Sequence, residues 1–348
     1  MNRFAMDCGY HRIRKRMRIL LISTEENKQS MSSILECIRT VGRGERGRKP
    51  LSFEQAYRIM DEYLSGEVGD DQMAMLLMLI RVQNETNEEI AGFVKAFQSR
   101  VPDLGADIDW PCYAGKRNDN ASGKPWNLLA AKILADSGYK VLMHGYMDKP
   151  SGRTHVESHL QDVGVQSAEN PEHAKSILEQ DGIAYLPLAN FAPEAQTMIG
   201  WKHRYGLRTP INTVVRALNP GGGRLGLRGS FHPGFPQLHA EVEHVIGNKS
   251  HSVISFKGMN GESEYNPKVS QTVWMSSPDK VESFYWEEMM NLELPLPRQC
   301  VLGTSAEEMA LMANTVVDSM TAILFAETHN KTEAYQKAVR LWHEYCAR

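Results

Sequence analysis

The chain has 348 residues, enough for one large domain or two ordinary ones, and its 42% hydrophobic and 23% charged residues are the profile of a globular protein with a real core. The five cysteines (Cys8, Cys37, Cys112, Cys300, Cys346) are scattered, odd in number and never spaced C-x-x-C, which argues against a disulfide framework or a zinc knuckle and for a reducing, cytoplasmic compartment. No apolar run stands out as a bilayer span, and no membrane partner is expected.

From the N-terminus, Arg12, Arg14, Lys15, Arg16 and Arg18 precede Ile19–Ile22, too short for a signal-peptide core and without a small-residue cleavage site. Residues 1–30 therefore read as a disordered extension or an upstream start, with Met31 as the functional beginning. Arg39, Arg43, Arg46, Arg48 and Lys49 follow as a Gly-interspersed basic stretch, either a phosphate-contacting loop or a soluble linker. Residues 31–102 read as a helical domain. Ser52 and Gln55 form a capping box ahead of Phe53, Ala56, Tyr57, Met60 and Leu64 on one helical face. Asp70 and Asp71 suit the next helix N-terminus, and between Met73 and Val82 only Arg81 is polar, which predicts a helix buried on all sides. Thr86 and Glu89 make a second capping box before Ile90, Phe93, Val94 and Phe97.

After Pro102 short β-prone runs alternate with helical ones. Trp110–Tyr113, Lys140–His144, Ile183–Pro187, Arg224–Arg228 and Val253–Phe256 read as strands, and Trp126–Ser137 as a helix. That alternation predicts an α/β layer with a mainly parallel sheet over 103–348, closed by helices at 304–326 and 331–346, while helices near 155–218 could pack with the helical domain. Gly221-Gly222-Gly223 reads as a turn and does not form a dinucleotide fingerprint. His155 and His159 flank Glu157 without the H-E-x-x-H order, so no metal site is expected there.

Charge is unevenly distributed. The window 195–240 contains no Asp or Glu but carries Lys202, Arg204, Arg208, Arg216, Arg224 and Arg228, with His203, His232 and His239. Such a segment reads as an anion site for a small-molecule or nucleic-acid phosphate, or as a basic surface paired with acids elsewhere.

The stretch Leu51-Ser52-Phe53-Glu54-Gln55-Ala56 through Gly66-Glu67-Val68 to Asn84-Glu85-Thr86-Asn87-Glu88-Glu89-Ile90-Ala91-Gly92-Phe93 is similar to the helical domain of anthranilate phosphoribosyltransferases and pyrimidine-nucleoside phosphorylases. Phe191-Ala192-Pro193, Gly206-Leu207-Arg208-Thr209-Pro210-Ile211-Asn212 and Leu218-Asn219-Pro220 resemble the same family's F-A-P … G-x-R-T-x-F-N … N-P segment. The resemblance implies a small helical domain hinged to a large α/β domain of the phosphoribosyltransferase class, and a homodimer through the helical domains. It also implies transfer of phosphoribose from phosphoribosyl pyrophosphate to anthranilate or a related aromatic amine, with magnesium.

The family's ligand motifs are altered here. Its G-T-G-G-D loop becomes Tyr113-Ala114-Gly115-Lys116-Arg117-Asn118-Asp119, and its N-x-S-T segment is replaced by Ser122-Gly123-Lys124-Pro125-Trp126. K-H-G-N becomes Met143-His144-Gly145-Tyr146, the acidic D-E pair becomes Ser263-Glu264, and the arginine that meets the anthranilate carboxylate becomes Lys202. The pieces Tyr113-x-Gly115-x-Arg117, His144-Gly145, Gly206-Leu207-Arg208 and His232-Pro233 look like a branch of the family that binds nucleic acid through a basic groove. On that resemblance the chain is expected to bind nucleic acid, DNA in particular, with no cofactor required. Phosphate contacts are expected from Gly115, Lys116, Arg117, Lys124, His144, Gly145, Lys202, Arg204 and Arg208, and from the 39–49 loop. The alternative is the phosphoribosyltransferase itself, with Glu264 as a remaining magnesium ligand.

Overall fold

The computed structural model describes residues 32–117, 123–247 and 251–348; Met31, the basic N-terminal run and residues 118–122 lie outside them. Among the described residues four helices come first: α1 (Ser33–Val41), α2 (Phe53–Leu64), α3 (Asp70–Gln83) and α4 (Asn87–Gln98). Both capping boxes close as the sequence predicts. Ser52 Oγ accepts the Gln55 N–H at 3.3 Å while the Ser52 N–H donates to Gln55 Oε1 at 3.1 Å. At α4 the Thr86 N–H donates to Glu89 Oε2 at 2.9 Å, and the other carboxylate oxygen takes the Leu51 N–H at 2.9 Å, tying the start of α2 to α4. Gly92 allows the close crossing, since a Cβ there would sit 2.5 Å from the Phe53 carbonyl oxygen.

One helical expectation needs correction. Helix α3 buries Met73, Ala74, Leu76, Leu77 and Ile80, but Met75 and Val82 are 56% and 75% exposed. The helix lies at the margin of the bundle, so one face packs inward and the other faces out.

Eight strands form one sheet: β1 (Ile108–Cys112), β2 (Val141–Gly145), β3 (Gln166–Ser167), β4 (Ile183–Pro187), β5 (Leu225–Ser230), β6 (Ser252–Lys257), β7 (Gln271–Ser276) and β8 (Val281–Trp286). Their order is β3-β4-β2-β1-β5-β6-β7-β8, parallel from β3 to β6, with β7 and β8 added antiparallel. Alternation along β2 divides the faces: Val141 and Met143 join one core cluster and Leu142 another.

The first face is covered by α5 (Trp126–Asp136), α10 (Met309–Thr328) and α11 (Lys331–Ala347). Helix α10 is long and apolar enough to cross a membrane by composition, contrary to the expectation that no such run exists, yet 94% of its apolar window is buried in the protein interior. The opposite face carries α6 (Pro171–Asp181) and α9 (Phe235–Ile246), and α9 also packs on α4. Helix α7 (Pro193–Tyr205) and the short α8 (Ile211–Val214) contribute Ala195, Met198, Ile199, Trp201, Ile211 and Val214 to the same core cluster as α1–α4. The junction between helices and sheet is therefore built from segment 191–218 and α9.

Candidate functional site: an interdomain pocket beside a closed loop

At that junction lies a small, partly open pocket. Ten of its twelve lining residues come from the acid-free window, from Arg208 to His239; the helical bundle supplies Arg81 and Glu85 from α3 and its C-terminal loop. Arg81 pairs with Glu85 at 3.1 Å and lies 5.7 Å over the Phe235 ring. Arg216 is anchored by donating to the Gly229 carbonyl at 3.1 Å and to the Asn212 carbonyl. Burial pulls the Arg216 guanidinium below its ordinary value, Glu262 opposes this, and Arg208 adds to it. A pocket lined by three arginines, of which Arg81 is paired with the single lining acid, favours an anion.

Three polar atoms in the lining, Thr209 Oγ1, Ser230 Oγ and His239 Nδ1, have no hydrogen-bond partner among the described residues. Unmet buried polar groups are costly, so a wall that collects several of them is suited to a ligand with hydrogen-bonding atoms. Burial drives the His239 imidazole well below its ordinary value, and Arg216 and Arg228 push it further, so the ring is neutral at pH 7. Phe231, Phe235 and His232 provide the aromatic side, with Phe231 and His232 edge to face at 5.2 Å between centroids. A planar aromatic ring bearing an anionic group matches this combination.

The loop after β1 borders the pocket, because a Cβ on Gly261 would lie 3.1 Å from Phe231 Cβ and 3.5 Å from Ala114 Cβ. Gly115 has φ +68°, a conformation that favours glycine. Its N–H and that of Ala114 converge on one carboxylate oxygen, Glu262 Oε1, at 2.7 Å from Ala114. Two residues on, Glu264 is completely buried; its Oε1 is ion-paired with Lys116 and its Oε2 accepts the N–H of Asn127, in the first turn of α5, at 2.8 Å. Burial pushes the Glu264 carboxyl up and the Lys116 ammonium opposes it. Lys116 itself is 1% exposed, its Nζ 5.7 Å from the Trp126 ring centroid, and its backbone bridges Thr154 at 2.7 and 2.9 Å.

These contacts give several expected residues partners inside the protein. The Lys116 charge, expected on a phosphate, is engaged by Glu264 in the interior. Glu264, expected as a magnesium ligand, is engaged by the same ion pair, and no group of three metal-binding side chains is found among the described residues. His144 is fully buried, with Nδ1 2.7 Å from the Tyr113 hydroxyl and Nε2 3.0 Å from Asp109. It belongs to a buried chain in which Arg228 meets Asp109 at 2.7 Å and Glu243 at 2.7 Å. Gly145 is a packing position, where a Cβ would overlap the Cys112 carbonyl oxygen. Lys202 is ion-paired with Asp148, which also meets His203 at 2.8 Å.

The remaining expected residues are placed differently. Arg208 is exposed and lines the pocket, and Arg204 is exposed outside it with its guanidinium 5.5 Å from the Tyr205 ring. Arg117 is exposed and Lys124 half-buried, its Nζ 3.5 Å from where a Gly303 Cβ would lie. Arg39, Arg43, Arg46, Arg48 and Lys49 are partly or fully exposed around the end of α1 and the turn after it. Sequence reading singled out Arg208 but not Arg81, Thr209, Ser230, Phe231, Phe235 or Glu262. The acid-free window was the signal for most of them.

Comparison with known proteins agrees with the fold. Residues 35–101 match the glycosyl transferase family helical bundle domain. The fold is similar to that of the anthranilate phosphoribosyltransferase of Thermus thermophilus, whose structure superposes with a TM-score of 0.66 at 21% identity, covering 91% of this chain and 99% of that one. The Saccharomyces cerevisiae anthranilate phosphoribosyltransferase in complex with PRPP and Mg gives 0.64 at 16% identity, covering 90% and 94%. In sequence, anthranilate phosphoribosyltransferase of Geobacillus stearothermophilus is 30% identical over 216 residues, 62% of each chain. The Escherichia coli K12 protein YbiB, uncharacterised, is 25% identical over 235 residues, 66% of this chain and 72% of that one. The chain is thus similar to anthranilate phosphoribosyltransferases in sequence and fold, and it spans just under two thirds of the Geobacillus enzyme's length in sequence.

Proposed function

We propose that this chain is a phosphoribosyltransferase-type protein that takes an aromatic amine carrying an anionic group, of the anthranilate class, in its interdomain pocket. The observation that carries this is the lining itself: Arg208 and Arg216 beside Phe231 and Phe235, with Thr209, Ser230 and His239 offering unmet polar atoms. The names of the relatives support the accompanying reaction, phosphoribosyl transfer from phosphoribosyl pyrophosphate. In it the amine nitrogen bonds to the anomeric carbon, the carbon–oxygen bond to pyrophosphate breaks, and the amine proton passes to water. Magnesium accompanies PRPP in the yeast complex; among the described residues Glu264 is engaged by Lys116, and no group of three metal-binding side chains is found.

The nucleic-acid reading is less well supported, because two of its expected phosphate contacts, Lys116 and Lys202, are ion-paired with Glu264 and Asp148, while Arg117, Arg204 and the basic residues of 39–49 are exposed. A fluorescence titration with anthranilate decides between the two. Saturable binding that Arg208→Met weakens supports the proposal, as does loss of anthranilate on adding phosphoribosyl pyrophosphate and magnesium. No anthranilate binding, with tight and strongly salt-dependent binding of a short single-stranded oligonucleotide, would overturn it.

A further inference from the structure

The donor side of the cleft has a property that does not depend on which aromatic anion the pocket takes. A diphosphate held at such a site needs backbone N–H groups from a glycine loop, the N–H groups of a helix first turn and a cation. All three are present here, and each is already engaged by a carboxylate of segment 262–264. The loop N–H groups of Ala114 and Gly115 donate to Glu262, the Asn127 N–H at the start of α5 donates to Glu264, and Lys116 supplies the positive charge. We infer that Glu262 and Glu264 form a built-in anion at the diphosphate position, with Glu262 an internal competitor for any diphosphate-type ligand and Lys116 standing where such a ligand's cation would act.

The arrangement is built into the backbone. A Cβ on Gly229 or on Gly258 would overlap the Glu262 carbonyl oxygen, so two glycines let this segment press against β5 and the end of β6. The Gly229 N–H also donates to Ser263 Oγ at 3.2 Å, and Arg153 donates to the Ala114 and Gly115 carbonyls at 3.1 and 3.2 Å, fixing the loop from its other side. The competitor is not fully satisfied, however, because Glu262 Oε2 is buried without a hydrogen-bond partner among the described residues. Glu262 is therefore the member of the pair that a stronger anion displaces, whereas Glu264 has partners on both oxygens.

The test uses inorganic pyrophosphate and the full chain. Glu262→Ala frees two loop N–H groups, and pyrophosphate affinity by calorimetry is expected to rise by about tenfold or more, with or without magnesium. A folded Glu262→Ala protein that binds pyrophosphate no more tightly than wild type overturns the inference. Hydrogen exchange on the wild-type protein reads the same contact without a substitution. The Ala114 and Gly115 amides are expected to be protected with no ligand present. Fast exchange there, slowed only by magnesium pyrophosphate, would equally overturn it. Either failure leaves anthranilate binding at the pocket standing.

Discussion

The two halves of the cleft are built on opposite principles. The interdomain pocket leaves Thr209, Ser230 and His239 with unmet polar atoms and gathers arginines around an opening. The loop beside it pairs Lys116 with Glu264 and turns its backbone donors onto Glu262. One half is open to a ligand and the other is closed on itself. The contrast shows that inheriting a fold fixes where binding can occur, while individual side chains decide whether each subsite is available.

Substitutions can break this contrast from either side. The largest effect is expected from Lys116→Met, which leaves Glu264 buried without its partner. A loss of about 3–5 kcal/mol of stability in denaturant unfolding is expected, and the double variant with Glu264→Gln should recover most of it. If Lys116 were a solvated phosphate contact, the single variant would be nearly neutral. On the open side, Arg208→Met should weaken anthranilate binding by about ten- to a hundredfold, the range for a hydrogen bond to a charged group, with the unfolding midpoint almost unchanged.

A smaller effect is expected at Gly115. Its φ of +68° and the 2.7 Å approach of a new Cβ to His155 Cε1 mean that Gly115→Ala should destabilise the protein by about 1–3 kcal/mol in the same assay.

The smallest is a pH effect in the pocket wall. His239 is held neutral by burial, well below the 6.5 of a free imidazole, so the unfolded chain takes up a proton that the folded one refuses. Stability should therefore fall as the pH drops below about 6.5, with His155 and His251, which burial also lowers, adding to the trend. His239→Gln should flatten the slope between about pH 7 and 5.5 measured by thermal unfolding.

Much of the fold could be read from local signals. The capping residues Ser52 and Thr86 marked α2 and α4, and five β-prone runs fell on β1, β2, β4, β5 and β6. The hairpin β7–β8 and helix α9 carry weak patterns outside the context of the sheet they cover, and α6, within the helices expected near 155–218, packs on the sheet instead of the helical domain. At the site, composition located the basic window but could not say which charges face a ligand. Lys116 is an example: a lysine in a glycine-loop position looks like a phosphate contact until Glu264, distant in sequence, is placed beside it. His144 is another, because only the pairing of β1 with β2 brings Asp109 and Tyr113 to its ring. Long-range pairing of buried charges leaves no periodic trace in a sequence.

The central claim is that the aromatic-anion half of the cleft is ready without a donor, while the donor half is occupied by Glu262 until a stronger anion displaces it. Calorimetric titration of the wild-type protein with anthranilate in EDTA, repeated without EDTA in the presence of magnesium pyrophosphate, tests it most directly. Binding in EDTA with an affinity that magnesium pyrophosphate leaves unchanged is the expected result. Absence of binding in EDTA, followed by binding once magnesium pyrophosphate is present, would contradict it.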